Sequence, residues 1–146
     1  LRQNGLHVVE TRTGDYFVTL GNRVAVSNRL KESIFVSIHY NWSKRKNASG
    51  IETFYLNPNS ARLASRIQSK MVGSYFSRDR GIKSRKLYVL RMNKRPAVLC
   101  ELGFISNRKE NAIVQSSKTR QKLADSIASA ILAERANYLS APASDR

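Results

Sequence analysis

The sequence predicts a single α/β domain, with a twisted, mostly parallel mixed sheet flanked by helices on both faces. Short apolar runs, typical of buried strands, alternate along the chain with longer segments whose apolar residues recur at helical spacing. The strand runs are nearly all apolar, which is typical of a sheet covered on both faces. A chain of 146 residues is long enough for one core but not for two.

The elements follow in order along the chain. Strands are predicted over residues 5–11, 34–38, 50–56, 87–91 and 97–100. Helices are predicted over residues 16–31, 58–75 and 118–138, with a short helical turn over 111–115. The first helix should begin near Asp15 or Thr13, which are suitable capping residues. Residues 42–49 and 77–83 are polar and basic and are predicted as loops, and 140–146 as a flexible tail.

The net charge of +16 implies an anionic partner, such as nucleic acid, an acidic membrane surface or a bacterial wall polymer. The basic residues are spread along the chain, which is more typical of a solvated surface than of a nucleic-acid groove. No apolar stretch approaches the length of a membrane span. Cys100 is the only cysteine, so no intrachain disulfide forms, and we interpret it as a small buried apolar residue.

Two residues at the ends of predicted strands are candidates for chemistry. Glu101 follows the apolar run 97–100, and His39 follows the run 34–38. Because the carboxyl ends of parallel strands meet at one edge of a sheet, we expect Glu101, His39 and Arg12 to lie along the same rim. A neutral imidazole is a good zinc ligand, and a carboxylate near an activated water is a suitable general base. His7 lies inside a predicted strand and is interpreted as a structural or exposed residue.

A zinc hydrolase usually has three protein ligands and one open position. His39 supplies one ligand, whereas Glu10, Asp15, Glu52 and Asp79 are candidate oxygen ligands by residue type only. Spacing alone therefore does not complete a zinc site. The sequence also has no Gly-x-Ser-x-Gly nucleophile elbow, no phosphate loop and no dinucleotide fingerprint.

Seven motifs nevertheless occur in an informative order. They are Thr11-Arg12-x-x-Asp15, Leu20-x-x-Arg23-x-x-x-x-Asn28, Ser37-Ile38-His39-Tyr40-Asn41, Gly50-Ile51-Glu52-Thr53-Phe54-Tyr55-Leu56, Asp79-Arg80-Gly81-Ile82-Lys83, Val89-Leu90-Arg91 and Pro96-Ala97-Val98-Leu99-Cys100-Glu101-Leu102-Gly103-Phe104-Ile105-Ser106-Asn107. Each motif is weak alone. Together, over about residues 5–139, they resemble the catalytic domain of zinc-dependent N-acetylmuramoyl-L-alanine amidases, which are cell-wall hydrolases.

The resemblance implies a peptidoglycan hydrolase that cuts the amide between N-acetylmuramic acid and the first L-alanine of the stem peptide. His39 matches the last of the family's three zinc ligands. Glu101 matches the catalytic glutamate, which acts as general base toward the water that Zn²⁺ activates and then assists the leaving amine. Peptidoglycan is then the expected partner, together with anionic wall polymers that the basic surface would attract. The expected location is the periplasm or the cell wall.

The family's first zinc histidine and its zinc-binding glutamate lie in a strand and a helix that would precede Gly5. We therefore expect residues 1–139 to be a catalytic domain without that strand and helix, and the chain to be the remainder of a longer protein. Some relatives carry a long helix that plugs the active site at the position of residues 42–49. Eight residues are too few for that helix, so we expect an open site.

Two alternatives belong to different functional classes. The first is a non-catalytic wall-binding domain derived from an amidase, which would bind no zinc and release no stem peptide. The second is a basic nucleic-acid-binding protein, whose association with DNA would be sensitive to salt. The absence of a recognised nucleic-acid-binding motif in the sequence disfavours the second alternative.

Overall fold

The computed structural model describes residues 1–75 and 77–140. The strands are β1 (Phe35–Asn41), β2 (Ile51–Tyr55), β3 (Asp79–Ser84) and β4 (Ala97–Phe104). The α-helices are α1 (Leu20–Arg29), α2 (Ala61–Val72), α3 (Tyr88–Arg91), α4 (Arg108–Gln115) and α5 (Ser117–Ser140). Short 3₁₀ turns cover Arg2–Asn4 and Pro58–Ser60.

The four strands form one mixed sheet in the order β1-β4-β2-β3. β1 pairs parallel with β4, and β2 pairs parallel with β3, whereas β2 and β4 are antiparallel. The carboxyl ends of β1 and β4 therefore meet the amino ends of β2 and β3 at one edge of the sheet, which we call the functional edge. The predicted α/β class with a mostly parallel mixed sheet is confirmed.

The helices cover both faces of this sheet and create two apolar clusters. The larger cluster joins α2 and α5 to the sheet, and its residues are Ile51, Leu63, Ala64, Ile67, Met71, Val98, Cys100, Leu102, Leu123, Ile127, Ala130 and Ile131. The smaller cluster joins α1 and α3 to the opposite face, and its residues are Val24, Phe35, Val89, Leu90, Ala97 and Leu99. Because successive side chains of a strand point to opposite faces, β4 contributes alternate residues to the two clusters.

A capping residue explains where α1 begins. The Thr19 side chain accepts a hydrogen bond from the backbone N–H of Asn22 at 3.1 Å, so α1 begins at Leu20 rather than near the predicted caps Thr13 or Asp15. The predicted helix 58–75 begins instead with the 3₁₀ turn, continues as α2 and ends at Val72. The long helix predicted over 118–138 is confirmed as α5. Beyond Ser140, the predicted tail lies outside the described residues.

Two predictions over residues 77–91 are wrong, and both errors have a physical reason. The predicted strand 87–91 is the short helix α3, whose buried Val89 and Leu90 pack against the α1 face. A short apolar run has no periodicity that separates a strand from a buried helical turn. Most of the predicted loop 77–83 belongs to β3, an edge strand whose residues are all exposed or only partly buried. An edge strand tolerates charged residues that a central strand does not. The composition of β3 is therefore as polar as that of a loop, and the sequence pattern did not distinguish the two.

The predicted strand 5–11 is also wrong, because this segment is irregular. Leu6 packs against the α2/α5 cluster, whereas Val9 is 42% exposed. The β-branched residues of this segment favour a strand only where a neighbouring strand pairs with them. Among the described residues, the segment has no such partner.

Candidate active site

Three side chains form a row across β1, β4 and β2. In the strand register, His39 lies beside Glu101, and Glu101 lies opposite Glu52. Strand alternation places all three on the face that carries α1, because Phe35 and Leu99 of the same strands pack there. Adjacent strands are about 4.8 Å apart, so the three side chains are immediate neighbours. We call them the central row.

Glu101 lies inside β4 and not at the end of the strand, because β4 continues to Phe104. Its Oε2 is buried and accepts no hydrogen bond from any residue in the described part of the chain. Burial, and secondarily the charge of Glu52, raise the pKa of Glu101 to about 7. A carboxyl group with this pKa can both accept and donate a proton near neutral pH.

The surroundings of His39 favour its neutral form. Burial lowers the pKa of His39, and the positive charges of Arg23 and Arg12 lower it further. Nε2 of His39 lies 3.0 Å from Oγ of Ser37, which orients the ring. Arg12 itself donates through Nη1 to the carbonyl of Tyr16 at 3.1 Å, and its place on this rim stays a prediction. A neutral imidazole in this position offers one nitrogen ligand.

Glu52 has a different environment from Glu101, although the two are neighbours. Glu52 is 4% exposed, and its Oε1 accepts a hydrogen bond from Asn41 Nδ2 at 3.0 Å. The ammonium group of Lys83 donates to Oε2, and Arg80 Nε lies 3.3 Å from the same oxygen. Two cations and an amide therefore contact Glu52, whereas Glu101 has an unpartnered oxygen. The two groups are therefore suited to different tasks, Glu101 to proton transfer and Glu52 to holding cations.

The segment after Glu101 shapes the loop at the functional edge. Gly103 has φ +132°, and a Cβ atom there would lie 2.5 Å from the hydroxyl oxygen of Tyr75, so only glycine fits. Ser106 Oγ accepts from the backbone N–H of Ser43 at 3.0 Å. Asn107 Oδ1 accepts from the backbone N–H groups of Lys109 and Glu110 and so caps α4.

Glu110 is a structural residue of this edge that sequence reasoning missed. It is 5% exposed and accepts hydrogen bonds from the backbone N–H of Gly50 at 2.8 Å and of Phe104 at 2.7 Å, and from Ser77 Oγ at 2.5 Å. It thereby ties the start of β2 to the end of β4. Its position in the first turn of a helix capped by Asn107 was the available signal, but that position is usually exposed.

The candidate oxygen ligands are not gathered around His39, apart from Glu52. Glu10 pairs with Arg2 at 2.7 Å on the surface, and Asp15 is exposed. Asp79 Oδ1 accepts from Gln68 Nε2 at 2.6 Å and from the Gly81 N–H at 2.8 Å. In residues 1–75 and 77–136, no three His, Cys, Asp or Glu side chains form a group that could hold a metal ion. His39 and Glu101 therefore fit one side of a zinc site, as one ligand and one proton acceptor.

The remaining sequence predictions concern single residues and one loop. Cys100 is fully buried, and burial raises the pKa of its thiol to about 12, so it is a core residue as predicted. His7 is exposed and lies in an irregular segment rather than a strand. Residues 42–49 form bends and a turn without a helix. In the described part of the chain, no helix combines the length and apolar character needed to cross a membrane.

Comparison with known proteins identifies relatives of this arrangement. Residues 1–133 match the family model described as N-acetylmuramoyl-L-alanine amidase. The uncharacterized protein YqiI of Bacillus subtilis is 43% identical over 135 residues, which cover 90% of this chain and 65% of YqiI. The N-acetylmuramoyl-L-alanine amidase LytC of Bacillus subtilis is 34% identical over 131 residues, which cover 87% of this chain and 26% of LytC.

A solved structure agrees with the sequence relatives. The catalytic domain of CwlV, an N-acetylmuramoyl-L-alanine amidase from Bacillus (Paenibacillus) polymyxa, superposes with a TM-score of 0.85 at 36% identity. The superposition covers 94% of this chain and 75% of the CwlV chain. The chain thus spans less than two thirds of the length of YqiI and about a quarter of LytC. By its sequence, its sheet and its relatives, this chain belongs to the N-acetylmuramoyl-L-alanine amidase family.

Proposed function

We propose that the protein hydrolyses peptidoglycan by cutting the amide between N-acetylmuramic acid and the L-alanine of the stem peptide. Family membership supports the reaction class. The observation that carries the proposal is the central row, where a neutral His39 stands in register with a carboxyl group, Glu101, that has one unpartnered oxygen. A metal ligand beside a proton acceptor is the arrangement that amide hydrolysis needs.

We propose that His39 binds Zn²⁺, which when bound would polarise the scissile carbonyl and acidify a water molecule. Glu101 takes a proton from the attacking water and gives it to the leaving amine of L-alanine. Its pKa of about 7 suits both directions of this transfer. The ion pairs of Glu52 with Lys83 and Arg80 hold a fixed charge beside Glu101 and keep the row ordered.

The other protein ligands of the metal are part of the same proposal. The family resemblance implies a histidine and a glutamate upstream of the segment that matches residue 5. We propose that these two residues complete the site in the full-length protein. Metal analysis of the full-length protein tests this, with one bound zinc per chain expected and a loss of that zinc in His39→Ala.

The proposal extends to partner and location. Peptidoglycan is the substrate, and anionic wall polymers attract the surface through its net charge of +16. These partners place the protein in the periplasm or the cell wall. The irregular loop 42–49 contains no helix, which supports an active site that is open without a plug.

The decisive experiment is digestion of muropeptides by the full-length protein, with release of stem peptides measured by mass spectrometry. Glu101→Gln should lower the rate by about 10²- to 10⁴-fold, the range for loss of a general acid–base group. Glu10→Gln is the matched control, because Glu10 is exposed and pairs only with Arg2 among the described residues. Its activity should be close to that of the wild type.

Undiminished amide cleavage by Glu101→Gln would contradict the role assigned to Glu101. If the full-length wild type released no stem peptide and bound no zinc, yet bound sacculi, the non-catalytic wall-binding alternative would be the correct one.

A further inference from the structure

A basic cleft lies at the functional edge, beside the central row. It has a volume of about 480 Å³, and three arginines line it, Arg45, Arg78 and Arg80, together with Asn47 and Phe104. No acidic side chain is among its lining residues. A volume of this size is typical of small-ligand sites. Its charge indicates an anionic ligand.

Arg80 connects this cleft to the central row. Its Nε lies 3.3 Å from Oε2 of Glu52, its Nη1 donates to the carbonyl of Ser49 at 3.3 Å, and its guanidinium lies 5.2 Å from the centre of the Phe104 ring. These contacts hold Arg80 in one position between Glu52 and the cleft. One wall of the cleft is therefore preorganised, which reduces the entropy that a ligand loses on binding.

Gly50 makes this position of Arg80 possible. A Cβ atom at residue 50 would lie 2.6 Å from Cγ and 2.7 Å from Cδ of Arg80, and Gly50 has φ +119°. Any other residue would therefore displace the Arg80 side chain and strain the backbone. The backbone N–H of Ile51 donates to the carbonyl of Arg78 at 2.9 Å, which fixes the start of the segment that carries Arg78 and Arg80.

Arg45 and Arg78 supply the positive charge of the cleft that is available to a ligand. Both are exposed, and neither forms an ion pair with a carboxylate among the described residues. Arg80, by contrast, is partly neutralised by Glu52. Arginine presents several N–H donors in a planar fork that matches a carboxylate.

The distance from Glu101 selects the part of the substrate that reaches the cleft. Arg78 directly precedes β3 and Arg80 lies on it, so this wall of the cleft is two strands from Glu101 on β4, about 10 Å across the sheet. An extended peptide advances about 3.3 Å per residue, so about three residues cover this distance. We propose that the arginine cleft binds a free carboxylate of the stem peptide, about three residues beyond the amide that is cut. This inference rests on the proposed function.

The test compares two synthetic stem peptides that begin with L-alanine, one with free carboxylates and one with carboxamides in their place. Calorimetric titration of the full-length protein measures binding of each peptide without any hydrolysis. The wild type should bind the carboxylate peptide about tenfold more tightly, the scale of one charge-assisted hydrogen bond in a partly exposed site. In Arg45→Gln/Arg78→Gln this ratio should fall to about one. Arg29→Gln, an exposed arginine at the end of α1, is the control and should keep the tenfold ratio.

Equal binding of the two peptides by the wild type, or an unchanged ratio in the double variant, would overturn the proposal.

A titration with poly(glycerol phosphate) tests whether the cleft binds anionic wall polymers instead of the stem peptide. If the double variant lost affinity for this polymer but kept the peptide ratio, the cleft would serve wall attachment and the proposal would be wrong. Hydrolysis of muropeptides is measured separately, so a protein that cuts the amide without preferring carboxylates refutes the cleft alone. Peptide binding without hydrolysis refutes the catalytic proposal alone.

Discussion

The two faces of the sheet differ in what they contribute. The face under α2 and α5 carries the larger cluster, in which Ile51, Ile67 and Met71 are fully buried. Among the described residues, the cluster on the face under α1 and α3 has six buried members, and the central row continues that face toward the functional edge. One face therefore supplies most of the apolar burial, and the other holds the charged groups.

β4 shows how one strand serves both faces. Val98, Cys100 and Leu102 point into the α2/α5 cluster, whereas Leu99 and Glu101 alternate with them on the opposite face. The close packing of these residues in the α2/α5 cluster fixes the position of Glu101 beside His39 and Glu52. The proton transfer that we propose for Glu101 would benefit from this arrangement, because a general base must be held within hydrogen-bond distance of the proton that it removes.

The largest expected effect on stability separates the two faces directly. Leu123→Ala, on α5, should destabilise the protein by about 4 kcal/mol, because this side chain is 1% exposed and lies within the larger cluster. Leu90→Ala, on α3, should cost about 2 kcal/mol, because the smaller cluster leaves less cavity surface. Urea unfolding monitored by circular dichroism measures both values. Equal losses would show that the two faces contribute alike.

A smaller effect is expected in the central row. Glu52→Gln should destabilise the protein by about 1–3 kcal/mol, because Lys83 and Arg80 lose the carboxylate that they share. This loss of stability is smaller than that expected for a fully buried ion pair, because the side chains of Lys83 and Arg80 are 34% and 29% exposed. Glu10→Gln is the control and should cost less than about 1 kcal/mol, because the side chains of Glu10 and its partner Arg2 are 45% and 65% exposed.

Glu52→Gln should also change the pKa of Glu101. The charge of Glu52 contributes to the raised pKa of Glu101, so Glu52→Gln should lower that pKa. Titration of the metal-free protein by NMR, with the Glu101 side-chain carbon observed, measures the shift. A pKa that stays at about 7 would show that burial alone sets it.

The stability of the metal-free protein should also depend on pH through Glu101. The pKa of Glu101 is raised from 4.5 to about 7. Between these two pH values the Glu101 carboxyl group is therefore protonated in the folded state and ionised in the unfolded state. The Glu101 contribution to stability is therefore full below about 4.5, and it is lost as the pH rises to about 7. Glu101→Gln should remove this slope, which urea unfolding at several pH values would show. If Glu101→Gln kept the wild-type dependence of the unfolding free energy on pH, other titratable groups would be its cause.

Sequence reasoning proposed those residues of the candidate site that local patterns mark, and their roles stay predictions. An apolar run followed by an acid indicated Glu101, and an apolar run followed by a histidine indicated His39. Glu52 was a candidate by residue type only, and Arg80, Lys83 and Glu110 were not identified. Their importance depends on which strands are neighbours, and periodicity within a segment carries no information about that.

The sequence by itself determined the fold class, the family and the positions of the central strands, because apolar periodicity and ordered motifs are local properties. The tertiary structure alone decided that β2 runs antiparallel to β4, which sets Glu52 opposite Glu101. It also decided that a polar segment becomes β3 and brings Arg80 to Glu52 and to the basic cleft. Strand register joins residues about 50 positions apart in the chain, and it results from the packing of the whole sheet rather than from any single segment.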